Sequence, residues 1–94
     1  MDMRPSIEAL ESVHTFPGTY QIKVIGESGD DFVARVVAII HEELPAHSDL
    51  DYNVRESSGG RHVSVTLMMA VQSAEQVRTI YARLGEVAGV TMLL

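Results

Sequence analysis

Cysteine is absent from this chain of 94 residues. Without it there is no disulfide framework, no thiolate nucleophile and no cysteine-ligated zinc site, as is usual in a reducing cytoplasm. The first residues also lack the apolar segment of a secretory signal, and no apolar run approaches the roughly 20 residues that a membrane span needs. We therefore predict a cytoplasmic protein that does not associate with a membrane.

Basic residues are scarce, since seven Lys and Arg stand against 13 Asp and Glu, for a formal net charge of −6. Such a chain repels the phosphates of DNA and RNA on average, so nucleic acid is disfavoured as a partner unless a local basic patch overrides the net charge. The hydrophobic content of 46% is that of a globular protein, not of a disordered one.

The chain is short enough to hold a single hydrophobic core. Residues 1–15 are a lead-in, in which Ile7, Leu10 and Val13 recur at the spacing of a short helix. The Phe-Pro-Gly sequence that follows breaks any helix. We therefore divide the chain into this lead-in and one domain over residues 16–94.

Three segments of that domain, TYQIKVIG, LDYNVRE and RHVSVTLMMAV, alternate apolar and polar residues as strands with one buried side do. The terminal VTMLL is predicted as a fourth strand. The residues predicted to face inward are Tyr20, Ile22, Val24, Leu50, Tyr52, Val54, Val63, Val65, Leu67, Met69 and Val71.

Two further segments have the 3.6-residue period of amphipathic helices. The first is expected to be capped by Ser28 or Asp30, and the second opens at Ser73, with Gln76 completing a capping box. Their predicted buried residues are Phe32, Val33, Val36, Val37, Ile40, Leu44, Val77, Ile80, Tyr81 and Leu84.

The resulting order of strand, helix, strand, strand, helix, strand predicts an α+β fold, the ferredoxin-like βαββαβ sandwich. Its four-stranded antiparallel sheet would have the first and third strands at its centre. Both helices would cover one face of the sheet, which leaves the other face open.

The stretch RESSGGRH lies between two alternating segments, so it predicts a hairpin connection. A phosphate loop is disfavoured because no lysine is present and a strand follows. A serine nucleophile at Ser57 or Ser58 lacks the Gly-x-Ser-x-Gly pattern. His41 and His47 lie six residues apart with Pro45 between them, which does not fit the zinc-helix motif. We predict no catalytic residue, no metal site and no cofactor.

The open face is the first candidate site. Its predicted interaction residues are Lys23, Arg55, His62, Ser64 and Thr66. RNA-recognition domains of this topology stack bases on exposed aromatic side chains of central strands, and no aromatic residue is expected here. The mixture of cations, hydroxyls and a few apolar side chains is more typical of a protein-association surface.

Three stretches, FPGTYQIKVIG, SSGGRHVSVTL and SAEQVRTIYARLGEVAGVTMLL, together resemble the YbeD-like family of small bacterial proteins of uncharacterised activity. The resemblance covers residues 16–94. The family tends to carry an aromatic residue where His62 stands, so this chain departs from it there. The resemblance implies a fold similar to ACT domains, which sense small metabolites such as amino acids and regulate enzymes.

In ACT domains the ligand commonly lies near the glycine-bearing turn after the first strand, often at a dimer interface. By that resemblance the ligand-binding residues here would be Gly26, Glu27, Ser28, Gly29 and Asp30.

These observations lead to one hypothesis and one alternative. The hypothesis is a non-enzymatic regulatory or protein-interaction domain that senses a small polar metabolite. Its partner would be a second copy of the chain or another protein, bound at the sheet face or at a strand edge. The alternative is an RNA-binding adaptor that uses the open face.

Overall fold

The computed structural model of the protein describes residues 4–94. Within that range the elements are α1 (Ile7–Val13), β1 (Gly18–Glu27), α2 (Phe32–Glu43), β2 (Leu50–Glu56), β3 (His62–Val71), α3 (Ala74–Gly85) and β4 (Val90–Leu93). None of the helices among these residues has the length and apolar character needed to cross a membrane.

The four strands form one sheet in the order β2-β3-β1-β4, in which every neighbouring pair is antiparallel. The first and third strands are therefore central, as the sequence predicts. The longest ladder joins β1 to β3, from the pair Gly18 and Val71 to the pair Glu27 and His62. The ferredoxin-like prediction is confirmed, with the short helix α1 added to the two expected helices.

The core lies between the sheet and the helices. On β1 and β3, the predicted inward residues are all buried, and Ile22, Val24, Val65 and Leu67 are completely inaccessible to solvent. Their helical counterparts Phe32, Val36, Ile40, Leu44, Val77, Ile80, Tyr81 and Leu84 are buried as well. Val33 and Val37 are only partly buried beside this core.

The strand β2 departs from the prediction. Tyr52 and Val54 lie opposite the buried residues Leu67 and Val65, so they are on the helix side of the sheet. They are nevertheless 49% and 45% exposed, and the prediction that they are buried is wrong. At this edge of the sheet the helices do not cover the strand. The alternation of apolar and polar residues predicts which face of the sheet a side chain is on, but it does not predict whether another element packs over that side chain.

The start of α3 follows the prediction. The Ser73 hydroxyl accepts a hydrogen bond from the Gln76 amide at 3.1 Å. The side-chain oxygen of Gln76 accepts in turn from the amide of Gln72 at 2.7 Å. The two reciprocal bonds of a capping box are thus present. The Gln76 side chain, however, accepts from the amide of Gln72 and not from that of the cap residue Ser73.

The start of α2 does not follow the prediction. Neither Ser28 nor Asp30 caps it, because the cap position is Asp31, whose side chain makes no capping hydrogen bond. Asp30 and Asp31 both have positive φ, at 51° and 55°. The helix therefore begins one residue later than predicted and without a side-chain cap.

The RESSGGRH segment is the β2–β3 hairpin that the sequence predicts. The amide of Ser57 donates to the carbonyl of His62 at 2.9 Å, and the amide of Gly60 donates back to the carbonyl of Ser57 at 2.9 Å. Gly60 has φ of 70°, which a residue without Cβ adopts at little cost.

The lead-in packs on the helix side of the sheet. Leu10 of α1 is 2% exposed, and the Arg78 side chain of α3 donates to the carbonyl of Pro5 at 2.9 Å. The ring of His14 lies 4.8 Å from that of Tyr20, centroid to centroid. All three helices therefore cover the same face, and the opposite face of the sheet is left to solvent.

Candidate functional site

The five predicted interaction residues lie together on the open face. Arg55 is directly opposite Ser64, and Lys23 is directly opposite Thr66. Residues that face each other across antiparallel strands project from the same side of the sheet. His62 lies two residues before Ser64 on β3 and completes the group.

The strand β4 adds apolar residues that the sequence analysis did not include. Met92 is opposite Ile25, and Leu94 exchanges two backbone hydrogen bonds with Lys23, at 2.9 and 3.0 Å. Met92 and Leu94 are 51% and 60% exposed. Their place beside β1 follows from the predicted sheet order, but the register that puts Leu93 opposite Val24 and Met92 opposite Ile25 is not revealed by the sequence.

A separate exposed apolar residue of this face is Met68 on β3, which is 43% exposed and lies opposite Gln21. Ile25 is half-buried between Met92 on one side and Ser64 on the other. A shallow depression of about 420 Å³ lies at the hairpin end of this face. It is lined by Ile25, Arg55, Glu56, Ser57, Ser58, His62, Val63 and Ser64.

The hydroxyl of Ser57 is engaged in the turn itself. It accepts a hydrogen bond from the amide of His62 at 3.1 Å, which helps to close the hairpin. This structural role is the one expected for a serine that bonds local backbone in a turn. The geometry at Ser57 therefore matches a turn residue better than a nucleophile.

The predicted ligand loop connects β1 to α2. The amide of Glu27 donates to the carbonyl of Gly89 at 2.9 Å, and the amide of Ser28 donates to the carbonyl of Arg61 at 3.0 Å. Gly29 follows with φ of 99° and has open space around its Cα. The loop thus lies between the β2–β3 hairpin and the turn before β4.

Gly26 differs from the rest of this loop because it is buried. A Cβ at that position would overlap the ring of Phe32 and lie 2.9 Å from the carbonyl oxygen of Gly89. The aromatic ring therefore occupies the space over Gly26 on the helix side. Gly26 is needed for the close approach of β1 to α2, whereas Glu27, Ser28, Gly29 and Asp30 are the exposed residues of the candidate ligand loop.

Arg35 fixes the far side of the loop. Its Nε donates to the carbonyl of Asp30 at 2.9 Å, and its Nη1 donates to the carbonyl of Ala88 at 3.2 Å. Its guanidinium carbon lies 5.9 Å from the ring centroid of Phe32, within range of a cation–π contact. These contacts connect α2 with the turn before β4.

A buried tyrosine pair forms the principal polar contact inside the core. The hydroxyls of Tyr20 and Tyr81 are 3.2 Å apart. Burial raises the pKa of Tyr81 well above its usual value, and the hydrogen bond to Tyr20 raises this pKa further. Tyr81 is therefore protonated throughout the physiological pH range, which fits a structural hydrogen bond and not a proton acceptor.

The remaining features are a cavity outside the predicted sites and the placement of the possible metal ligands. A cavity of about 690 Å³ lies between α3 and β4, with a mostly apolar lining that includes Tyr81, Ala82 and Leu93. It contains none of the predicted site residues. Over residues 4–94, no group of three or more His, Asp or Glu side chains is placed to hold a metal ion.

Comparison with known proteins relates the chain to one sequence family. Residues 11–94 match the family described as "Protein of unknown function (DUF493)". A UPF0250 protein of Shewanella piezotolerans is 35% identical over 84% of this chain and 88% of its own length. A UPF0250 protein of Chromobacterium violaceum is 31% identical over 79% of this chain and 83% of its own.

Solved structures with the same fold include an ACT domain. The ACT domain from GTP pyrophosphokinase of Chlorobium tepidum covers 82% of this chain and 83% of its own, with a TM-score of 0.66 and 15% identity. A Helicobacter pylori protein solved in solution covers 98% of this chain and 89% of its own, with a TM-score of 0.67 and 16% identity. At these identities the likeness concerns the fold alone, and it confirms the ACT-like architecture.

Proposed function

We propose that this chain, which belongs to the DUF493 family, is a non-enzymatic regulatory domain that acts by associating with another protein through its open sheet face. Membership rests on the match over residues 11–94 and on relatives that share about a third of their residues with the chain. The family includes the UPF0250 proteins. The ACT-like fold is consistent with regulation, whereas the association surface is argued from the residues themselves.

The observation that carries the proposal is the exposed apolar surface of the open face. Met68, Met92 and Leu94 are three of the six large hydrophobic side chains that are exposed among the described residues. Met92 and Leu94 are neighbours on this side of β4, and exposed apolar side chains bordered by polar ones are typical of protein-association sites. A solvated face of an ordinary antiparallel sheet carries polar side chains at these positions.

A photo-crosslinking amino acid at position 68 tests this proposal in cells of the source organism. The matched control carries the same amino acid at position 38, where Ala38 is exposed on α2, on the other side of the sheet. We expect one protein to crosslink from position 68 and not from position 38, and the purified partner to bind the native chain more tightly than Met68→Asp. Light scattering of the purified chain reports whether that partner is a second copy.

Equal crosslinking from both positions, or none from position 68, would contradict the proposal. Thermal unfolding of Met68→Asp shows whether the variant is folded. The exposure of Met68 predicts only a small loss of stability, because substitutions at exposed sites usually change it by about 0.5 kcal/mol or less. Loss of binding in a folded variant is then a property of the surface.

Binding of a small polar metabolite is a second candidate, located at the loop of Glu27, Ser28, Gly29 and Asp30. Its support is the backbone, since Gly29, Asp30 and Asp31 have consecutive positive φ values and no side chain caps α2. The carboxylates of this loop favour a ligand with an ammonium group over a bare anion. Isothermal titration with amino acids tests the candidate, and absence of heat for all of them at millimolar concentration would count against it.

RNA is less compatible with the open face. Among the described residues, Tyr20, Phe32 and Tyr81 are buried in the core, Tyr52 is on the helix side, and Phe16 packs against the core. None of these rings stands on the open side of β1 or β3, where bases stack in RNA-recognition domains. A salt-dependent shift of labelled single-stranded RNA that Lys23→Ala or Arg55→Ala abolishes would reverse this preference.

A further inference from the structure

The basic residues of the chain divide into two groups. Arg35 donates to backbone carbonyls, Arg78 to Pro5, and Arg83 forms ion pairs with Glu42 and Glu43 at 3.2 and 2.8 Å. Arg4 also has an internal partner. The three remaining cations of the seven are Lys23, Arg55 and Arg61, whose side chains make no hydrogen bond or ion pair within residues 4–94.

Two of these three cations share one surface. Lys23 and Arg55 project from the open face, and Arg61 lies in the hairpin next to His62. The chain has 13 acidic residues to pair with, and the internal ion pairs described above lie on the helix side. In a chain of net charge −6, unpaired cations grouped on one surface are a local exception to the overall field.

The spacing of these groups follows from the sheet. Arg55 and Lys23 are separated by the intervening strand β3, about 10 Å across the sheet, and by one two-residue step along it, so their Cα atoms lie about 12 Å apart. Apolar side chains lie on the β4 side of Lys23, where Ile25 faces Met92 and Lys23 itself faces Leu94. We call Lys23, Arg55, Ile25, Met92 and Leu94 the basic–apolar patch.

Two acidic side chains border the patch. Glu27 is opposite His62 at the hairpin end, and Asp51 is opposite Met68 toward the other end of β3. Neither carboxylate forms an ion pair with a cation of the patch. Both lie outside the patch, so an approaching carboxylate meets Lys23 on the central strand β1 and Arg55 on the edge strand β2.

We infer that the occupant of the basic–apolar patch is an acidic protein surface on which carboxylates flank aliphatic side chains. This inference rests on the proposed function and adds the chemistry of the partner. Charge complementarity supplies the argument, because carboxylates about 12 Å apart would meet Arg55 and Lys23 while aliphatic groups cover Met92 and Leu94. The shallow, exposed surface suits a protein contact better than a small-molecule ligand, whose sites are usually concave pockets.

The experiment is an NMR titration of the isotope-labelled full chain with short synthetic peptides. The probe alternates glutamate and leucine, and the two control peptides alternate lysine with leucine and glutamate with serine. We expect the glutamate–leucine peptide to bind best, to shift the amides of β1, β3 and β4, and to weaken as salt rises.

Variants of the chain locate the charge effect. Arg55→Gln and Lys23→Gln should each weaken binding of the glutamate–leucine peptide by roughly twofold to fivefold, as expected for exposed charge pairs. The control is Ala38→Glu, which changes the net charge by the same amount on the helix side and should leave the affinity unchanged. Because all three positions are on the surface, the amide spectra should otherwise remain those of the native fold.

Several results would overturn the inference. They are equal binding of the lysine–leucine peptide, shifts confined to the helices, equal weakening by Ala38→Glu, or displacement of the probe by single-stranded poly(U). If the probe does not bind while position 68 still crosslinks to one protein, the partner chemistry is wrong and the proposed function stands. If neither occurs, both are wrong.

Discussion

The two connections from a central strand to a helix, β1 to α2 and β3 to α3, occupy equivalent places in the fold but start their helices differently. At α3 the side chains of Ser73 and Gln76 satisfy backbone amides within five residues of sequence. At α2 no side chain caps the helix, and two successive aspartates adopt positive φ. One start is locally encoded, whereas the other depends on tertiary contacts.

Those tertiary contacts are specific. The ring of Phe32 fills the space over Gly26, and Arg35 links the first turns of α2 to the carbonyl of Ala88. The α2 start is therefore held by packing and not by a side-chain cap, and its long-range part comes from the turn before β4, where Gly89 lies against Gly26 and Ala88 accepts from Arg35. The contrast teaches that a strained, uncapped helix start persists when the surrounding structure over-determines it.

The largest effect is expected from filling the space over Gly26. Gly26→Ala places a methyl group against the Phe32 ring and the Gly89 carbonyl, so overpacking should lower the free energy of unfolding by about 1–3 kcal/mol. Chemical denaturation measures the change. Gly59→Ala is the matched control, since a Cβ there meets no atom within 4 Å.

The size of this effect also tests its cause. If the ring is responsible, Gly26→Ala combined with Phe32→Leu should lose less stability than the sum of the two single changes, because a smaller side chain leaves room for the methyl group. Strict additivity would assign the loss to the Gly89 carbonyl instead.

A smaller effect is expected at the cap of α3. Ser73→Ala removes the acceptor for the Gln76 amide and should lower the free energy of unfolding by about 1 kcal/mol. Ser73→Asp keeps an acceptor at the same position and should recover most of the stability. If Ser73→Ala is neutral, the capping box does not stabilise this helix and the contrast between the two connections disappears.

The smallest effect is expected at the equivalent position of α2. Asp31→Gly removes no capping hydrogen bond and relieves a positive φ, so the free energy of unfolding should stay the same or rise by up to about 1 kcal/mol. The relief is offset in part by loss of a negative charge near the helix N-terminus. A loss of 1 kcal/mol or more would contradict this prediction.

Local sequence signals predicted much of the structure. The alternation of β1 and β3, the Ser73 capping box and the Gly60 hairpin are each defined by a few neighbouring residues, and all are confirmed. The open-face residues Lys23, Arg55 and Thr66 were predictable for the same reason. A period of two determines which side chains share a face once the strand is identified.

Other features were not predictable from such signals. Tyr52 and Val54 carry the apolar pattern of buried residues, yet they lie at a sheet edge that no helix covers. Met92 and Leu94 join the open face because β4 pairs with β1 so that Leu93 is opposite Val24 and Met92 is opposite Ile25. These outcomes depend on where distant elements come to rest, which periodicity does not specify.

Local patterns in the sequence specify the order of strands and helices, the strand faces and the cap of α3, because hydrogen bonds and side-chain periodicity act over a few residues. Packing between separate elements settles how α2 begins, which apolar residues remain exposed and which cations lack a partner. Those properties are set by contacts between residues far apart in the chain, such as Arg35 with Ala88 and Leu94 beside Lys23. Whether a side chain is exposed and whether a cation has a partner depend on which elements pack against it, so neither is defined before the helices and strands have packed.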